Sequence, residues 1–368
     1  MLIFLLAATL ALFVAGVALP KMSMLPPAFW AHLVLAVGVV SLITAAMQHF
    51  APVLTRSRGP GKWIGRLPWL MLVAGTLAIA VFAGLVHAHA LSLAALLVLA
   101  GAVAMLLWMR RKWRDALGKP HPGLAWYVAA MFCLAAGMVA AALLPWLPQW
   151  HSALRAFHLH VNLYGFVGLT AIGTLQVLMP TVTNRPDPEV GRRLRDDLKW
   201  ALAGSLLLAL GKAMSLNWLA GLGLTLWLLP LAKLGLAWGR SHSRALFAVH
   251  GQAPVLMAAL LGFVCALLAA VLEPATLTSP LGLFLPGFLF PLVSGAAGQL
   301  APVWVLAGAV TARHEAARIP LGRFGGIRAL LFLTAALLPL LGYQCAGMPG
   351  LVALIWFLAV FAVWLYRE

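Results

Sequence analysis

Apolar residues run along this chain in long blocks, each closed by a short polar or basic stretch. The blocks near 2–19, 29–53, 67–87, 90–109, 124–146, 156–182, 198–215, 217–238, 246–272, 280–308, 326–343 and 350–366 approach or exceed the length of a membrane span. A helix needs about 20 predominantly apolar residues to cross the hydrocarbon layer. Gly and Pro recur inside the blocks, as bundles of packed membrane helices tolerate. The pattern predicts an all-α polytopic membrane protein with twelve spans in a single domain, 1–368. The first block lacks a basic leader and a small-residue cleavage site, so it reads as a retained helix.

Composition strengthens that picture. Of 368 residues, 64% are hydrophobic and 9% charged, with a mean hydropathy of +1.00. A soluble domain carries about 25% charged residues. The net charge of +17 would suit nucleic acid, but its distribution points elsewhere. Basic residues occupy alternate loops: Arg56 to Arg66, Arg110 to Lys119, Arg185 to Lys199, Lys233 to Arg244, and Arg313 to Arg328. The loops between them are nearly neutral. Basic loops face the cytoplasm, so both termini are expected there, in a bacterial inner membrane. The lipid bilayer is the expected partner, and nucleic acid is not.

The eight acidic residues fall in loops or at a terminus on this reading, and 184–199 reads as a short ordered connection. No carboxylate lies mid-span, which argues against a proton-coupled transporter or pump. Cys133, Cys265 and Cys345 are widely spaced and read as packing residues rather than a disulfide or zinc site. No G-x-S-x-G, P-loop or HExxH arrangement is present.

Spans two, six and ten end alike. Gln48 and Gln176 lie four residues before Pro52 and Pro180, and Gln299 lies three before Pro302. Thr55 and Thr183 lie three after their prolines; His32 and His160 lie twenty before. The third copy has Gly282 there. Copies starting every four spans imply a 4 + 4 + 4 plan with pseudo-threefold symmetry, repeating over about 1–120, 121–245 and 246–368.

With the N-terminus inside, His32, His87, His89, His151, His158 and His160 fall in the periplasmic third. Neutral imidazole is a common metal ligand. Several at one depth without carboxylates suit heme iron or copper better than a hard cation. On a helix His158 and His160 point about 200° apart. His160 shares a face with Tyr164, and His158 with Asn162. Against this, a histidine at a membrane interface is ordinarily a satisfied hydrogen-bonder, and His121, His151, His242 and His314 read so. His87 and His89 stand in a turn where both could simply be solvated. Tyr164 reads as an interfacial belt residue ahead of a redox tyrosine.

The run His158-Leu-His160-Val-Asn162-Leu-Tyr164-Gly-Phe166, followed by Gly168, Gly173 and Pro180, resembles the histidine-rich helix of the NnrS family. Those are twelve-span bacterial membrane proteins associated with heme, copper and nitric oxide resistance. The twelve-helix plan also resembles subunit I of heme–copper oxidases. That resemblance sets His32 where a heme-ligating histidine stands. His160 followed by Tyr164 matches the spacing of a copper-ligating pair. It implies a heme b protein, with copper as a second metal. His32, His158 and His160 would be ligands, His87 or His89 their partners, and Tyr164 would lie beside the cofactor. A diatomic gas would be its ligand, or a redox protein its partner. The chain departs from the oxidases in lacking a histidine pair on span seven and any histidine within 280–308. A low-spin heme plus binuclear centre cannot be assembled in the usual way, so the chain does not read as a terminal oxidase or nitric oxide reductase, and oxidoreductase activity stays an open expectation. Two other classes remain: a metal or heme carrier, and a noncatalytic membrane subunit or assembly factor.

Overall fold

The computed structural model describes residues 1–273, 281–306, 308–343 and 347–368. Every regular element among them is helical. We number the helices α1 (Leu2–Ala18), α2 (Pro27–Thr55), α3 (Lys62–Phe82), α4 (Ala90–Arg114), α5 (Gly123–Leu143), α6 (Pro148–Val182), α7 (Val190–Ala213), α8 (Asn217–Leu246), α9 (Ala253–Leu272), α10 (Leu281–Val305), α11 (Ala312–Gly322), α12 (Gly325–Leu337) and α13 (Gly347–Arg367). Among the described residues, nine are long and apolar enough to cross a membrane. The α11–α12 pair, bent by 48°, makes a tenth if it counts as one crossing. The chain is thus a multi-pass membrane protein. Helix α1 is apolar but has only 17 residues. Helix α7 has 24, opening with Arg192, Arg193, Arg195, Asp196 and Asp197.

The connection expected over 184–199 is shorter than that. Helix α7 starts at Val190, so Asp196 and Asp197 are helical and Asp197 is buried. Glu189 precedes the first turn and pairs with Arg192 one turn on, a helix-compatible spacing that a count of loop charges passes over. Cys133 and Cys265 are buried and free, as packing residues would be, with Cys133 filling the space against Gly165. Cys345 lies outside the described residues.

Helices α2, α6 and α10 share an internal irregularity. Each contains a π-helical stretch, Leu33–Val39, Val161–Val167 and Phe284–Leu289. The stretches end thirteen residues before Pro52, Pro180 and Pro302. The π geometry is rare and concentrates at functional sites. The ends of α2 and α6 also match bond for bond. Thr55 and Thr183 donate their hydroxyls to the carbonyls of Ala51 and Met179. Arg56 and Asn184 follow at φ 50° and 48°. The amides of Ser57 and Arg185 then return to the carbonyls of Pro52 and Pro180, both at 3.0 Å. This left-handed cap satisfies carbonyls that a helix end leaves open. Gln48, Gln176 and Gln299 are all buried.

The chain forms two compact units, one of Met1–Leu5, Ala18–Thr174 and Glu189–Pro230, the other of Leu6–Val17, Leu175–Pro188 and Leu231–Glu368. In the first, α3, α4 and α5 pack in succession, and the π stretches of α2 and α6 lie against α3 and α5. Close approach needs glycine: a Cβ on Gly75 would sit 2.7 Å from the Ala36 backbone. In the second unit α9 packs on α10 and α12, and α12 packs on α13.

Candidate metal centre

Helix α2 brings His32 to the start of its π stretch, and α6 does the same for His160. Both rings are anchored identically. His32 Nδ1 lies 2.8 Å from the Ala28 carbonyl and His160 Nδ1 lies 2.8 Å from that of Ala156. A carbonyl can only accept, so Nδ1 carries the proton and Nε2 keeps its lone pair. A hydrogen bond at one ring nitrogen is how metal-ligating histidines fix tautomer and orientation.

The imidazole that meets His32 across helices belongs to His158. The two rings are nearly parallel, 7° apart, with centroids at 6.3 Å. His158 Nδ1 lies 3.0 Å from the carbonyl of Gly137 on α5. Asn162, one turn on, donates to the His158 carbonyl at 2.7 Å and stands 3.3 Å from Nδ1. Gly137 makes this approach feasible, since a Cβ there would sit 2.4 Å from Asn162 Nδ2. Phe82 covers the other flank, its ring centroid 4.6 Å from that of His32. Both imidazoles thus hold backbone carbonyls with Nδ1 at one end of the same packed unit.

His160 points to a different face and is buried beside Tyr164, centroids 6.1 Å apart. Tyr164 has no exposed surface, so the interfacial-belt reading does not describe it. Its backbone carbonyl lies in the π stretch and takes a 2.9 Å bond from Ser205 of α7, whose hydroxyl in turn accepts Trp227 Nε1. His87 and His89 form a separate, exposed pair in the α3–α4 turn, Nδ1 to Nδ1 3.0 Å, with Trp146 edge-on to His89. Among the described residues there is no group of three or more His, Cys, Asp and Glu side chains able to hold a metal. His32 with His158 and His87 with His89 thus form two separate pairs, and His160 and His151 belong to neither.

Three of the remaining histidines accept backbone amides. His121 Nδ1 accepts the Gly123 amide and His250 Nδ1 the Phe324 amide. His314 closes a capping box with Thr311, and His242 meets the Thr183 hydroxyl at 3.0 Å. His151 opens a helical segment, exposed. For His121, outside the spans, burial first and the Arg195 charge second hold the ring below its ordinary pKa.

Sequence reasoning passes over Gly137 and Phe82, the two residues that shape the site from neighbouring helices. Their only signal is residue type, and a glycine in an alanine-rich helix carries no mark of what it faces. No protein-family model matches the chain, and no curated protein matches it.

Proposed function

We propose that His32 and His158 hold one redox-active metal centre embedded near one face of the membrane, with heme b as the group. The observation that carries this is the facing pair of near-parallel imidazoles, each oriented by a backbone carbonyl through Nδ1. With an imidazole nitrogen ~2 Å from a metal, the 6.3 Å between ring centroids would let both rings hold one ion. The donor set contains imidazole and no carboxylate, which suits iron or copper. Such a group supplies one-electron chemistry, its potential set by axial ligands and burial. The chain's own contribution is to hold two ring orientations and to exclude water with Phe82, Val161 and the α5 surface. If both imidazoles hold the group, electron transfer to a redox partner would be favoured over binding of a diatomic gas.

Copper is the second reading. Phe82 and Asn162 occupy space beside the two rings, which a bare ion tolerates and a macrocycle has to displace. We also propose that α1 and α7 cross the bilayer. That gives twelve spans with both termini cytoplasmic in a bacterial inner membrane, on an oxidase-like threefold plan of the kind seen in NnrS-like proteins. The recurrent π stretches and matched caps of α2 and α6 support the repeat, and the alternating basic loops support the orientation.

The test is a reduced-minus-oxidised optical spectrum with iron and copper analysis of purified protein. A sharp α-band with about one iron per chain, unmoved by carbon monoxide, is expected. It should vanish in His32→Ala and in His158→Ala and persist in His160→Ala. Copper without a band selects the second reading. Folded protein with neither metal would end both.

A further inference from the structure

The α3–α4 turn carries an imidazole pair that the buried centre does not use. His87 and His89 are exposed, and their Nδ1 atoms stand 3.0 Å apart. Side chains two residues apart on a helix point to opposed faces. Here the chain leaves α3 at Phe82 and enters α4 at Ala90, and the turn between them brings both rings together. The ring centroids are 4.8 Å apart and the planes 16° from parallel, so each ring turns its Nδ1 corner toward the other.

The turn is held at both ends. The amides of Gly84 and Leu85 donate to the Val81 and Ala80 carbonyls, both at 2.9 Å. Gly84 stands at φ 75°, a conformation that glycine adopts without strain. The amides of Ala90, Leu91 and Ser92 donate to the carbonyls of His87, Ala88 and His89 at 2.9, 3.0 and 3.1 Å. Trp146 stands edge-on to His89, centroids 4.7 Å apart. Its Nε1 donates to Ser92 Oγ at 3.0 Å, and that hydroxyl donates to the Ala142 carbonyl at 2.7 Å. The His89 ring therefore packs against a side chain fixed from α4 and α5.

A hydrogen bond between the two Nδ1 atoms is one account of their contact. At an exposed turn such a bond is worth little, because water bonds either ring as well. A metal ion makes fuller use of the pair. Nitrogens 3.0 Å apart and each ~2 Å from a shared ion subtend a near-right angle at it. Neighbouring ligands meet at that angle in a tetragonal site, the geometry of Cu(II). Cu(II) also heads the affinity order of the divalent first-row ions. Residues 83–89 contain no Lys, Arg, Asp or Glu, so no side-chain cation in the turn repels an ion. With both protons on Nε2, both Nδ1 lone pairs are ligands. We propose that His87 and His89 form an exposed Cu(II) site, chelating the ion through their Nδ1 atoms with water in its remaining positions. The site is separate from the His32–His158 pair and does not rest on the reading of that pair.

The experiment uses tag-free full-length protein in detergent, stripped of loosely held metal with EDTA and titrated with Cu(II). Metal analysis after dialysis and electron paramagnetic resonance are the readouts. About one chelator-removable Cu(II) per chain is expected, with the axial spectrum of a tetragonal site split by two nitrogens. His87→Ala and His89→Ala should each weaken uptake by more than about tenfold, since even a hydrogen-bond partner of a ligand is worth that much. Both residues are exposed in a turn, so neither variant endangers the fold. His151→Ala, which removes another exposed histidine, should bind as wild type does. Stripped protein that takes up no Cu(II), or equal uptake by wild type, His87→Ala and His89→Ala, would overturn the site. Zn(II) that displaces Cu(II) at equal concentration would overturn copper as its ion.

Discussion

At the scale of single residues, the candidate centre depends on the hydrogen atom that Gly137 carries in place of a side chain. A methyl group there would meet Asn162 Nδ2 at 2.4 Å, and that amide braces His158. Gly137→Ala should therefore cost about 1–3 kcal/mol, as overpacking does. It should also lower metal occupancy by displacing His158, which metal analysis beside a thermal melt would read. Weakened folding with full occupancy would detach Gly137 from the site. His121 gives a pH prediction at the same scale. Its folded pKa is depressed by burial and Arg195, so the neutral ring favours the native state. The linked stability is present above the unfolded value of 6.5 and is lost as pH falls below it. Protonation also closes Nδ1 to the Gly123 amide. Thermal midpoints between pH 7.5 and 5 should fall less in His121→Asn, which keeps an acceptor, than in wild type. What the sequence makes legible here is depth. The charge pattern gathers His32, His158 and His160 at one level, and helical spacing sets the last two on opposed faces. Which of them meets His32 depends on how α6 is rotated against α2 and α5. Glycine contacts from other helices set that rotation, so no spacing within α6 reveals it.

At the scale of elements, the π stretches link fold to site. A π turn holds an extra residue, so the helix after it is rotated relative to the helix before. In α6 this lets His158 face Gly137 while Tyr164, six residues on, is buried with its carbonyl on Ser205. Deleting one residue from Val161–Val167 should restore regular α-helix and rotate the two halves by about 100° relative to each other. We expect the deletion variant to insert and to keep its helical circular dichroism but to lose the metal centre. A variant that retained both would remove the π stretch from the argument. Helix existence is plain in the apolar blocks, and the proline-anchored alignment already pairs α2 with α6. The π geometry itself is invisible in those blocks, because a single extra residue does not alter an apolar run. Helix α7 is obscured for the opposite reason, since its charged opening turns look like a loop until Glu189 and Arg192 are seen one turn apart.

For the whole molecule, the number of crossings decides where the chain ends. An odd number, such as the nine helices that pass on length and apolarity, places the termini on opposite sides. Ten or twelve place them together. At 1.5 Å per residue, 17 helical residues span about 26 Å, enough for a slightly thinned bilayer. Helix α7 keeps an apolar stretch from Trp200 to Leu210 once its charged turns are set at the interface, with Lys212 able to snorkel. The basic loops supply an independent constraint. Arg56–Arg66, Arg110–Lys119, Arg185–Lys199, Lys233–Arg244 and Arg313–Arg328 all stay on one side only if α7 crosses, and α1 then decides the side of the N-terminus. Without α7, the α6–α7 and α8–α9 loops, both basic, would fall on opposite faces. Reporter fusions active only in the cytoplasm, placed at each terminus and in the 184–189 and 247–252 loops, should therefore all be active. A fusion in the 83–89 turn should be silent. Activity at one terminus alone would exclude twelve crossings. It would also remove the charge-pattern argument for a periplasmic His32–His158 pair.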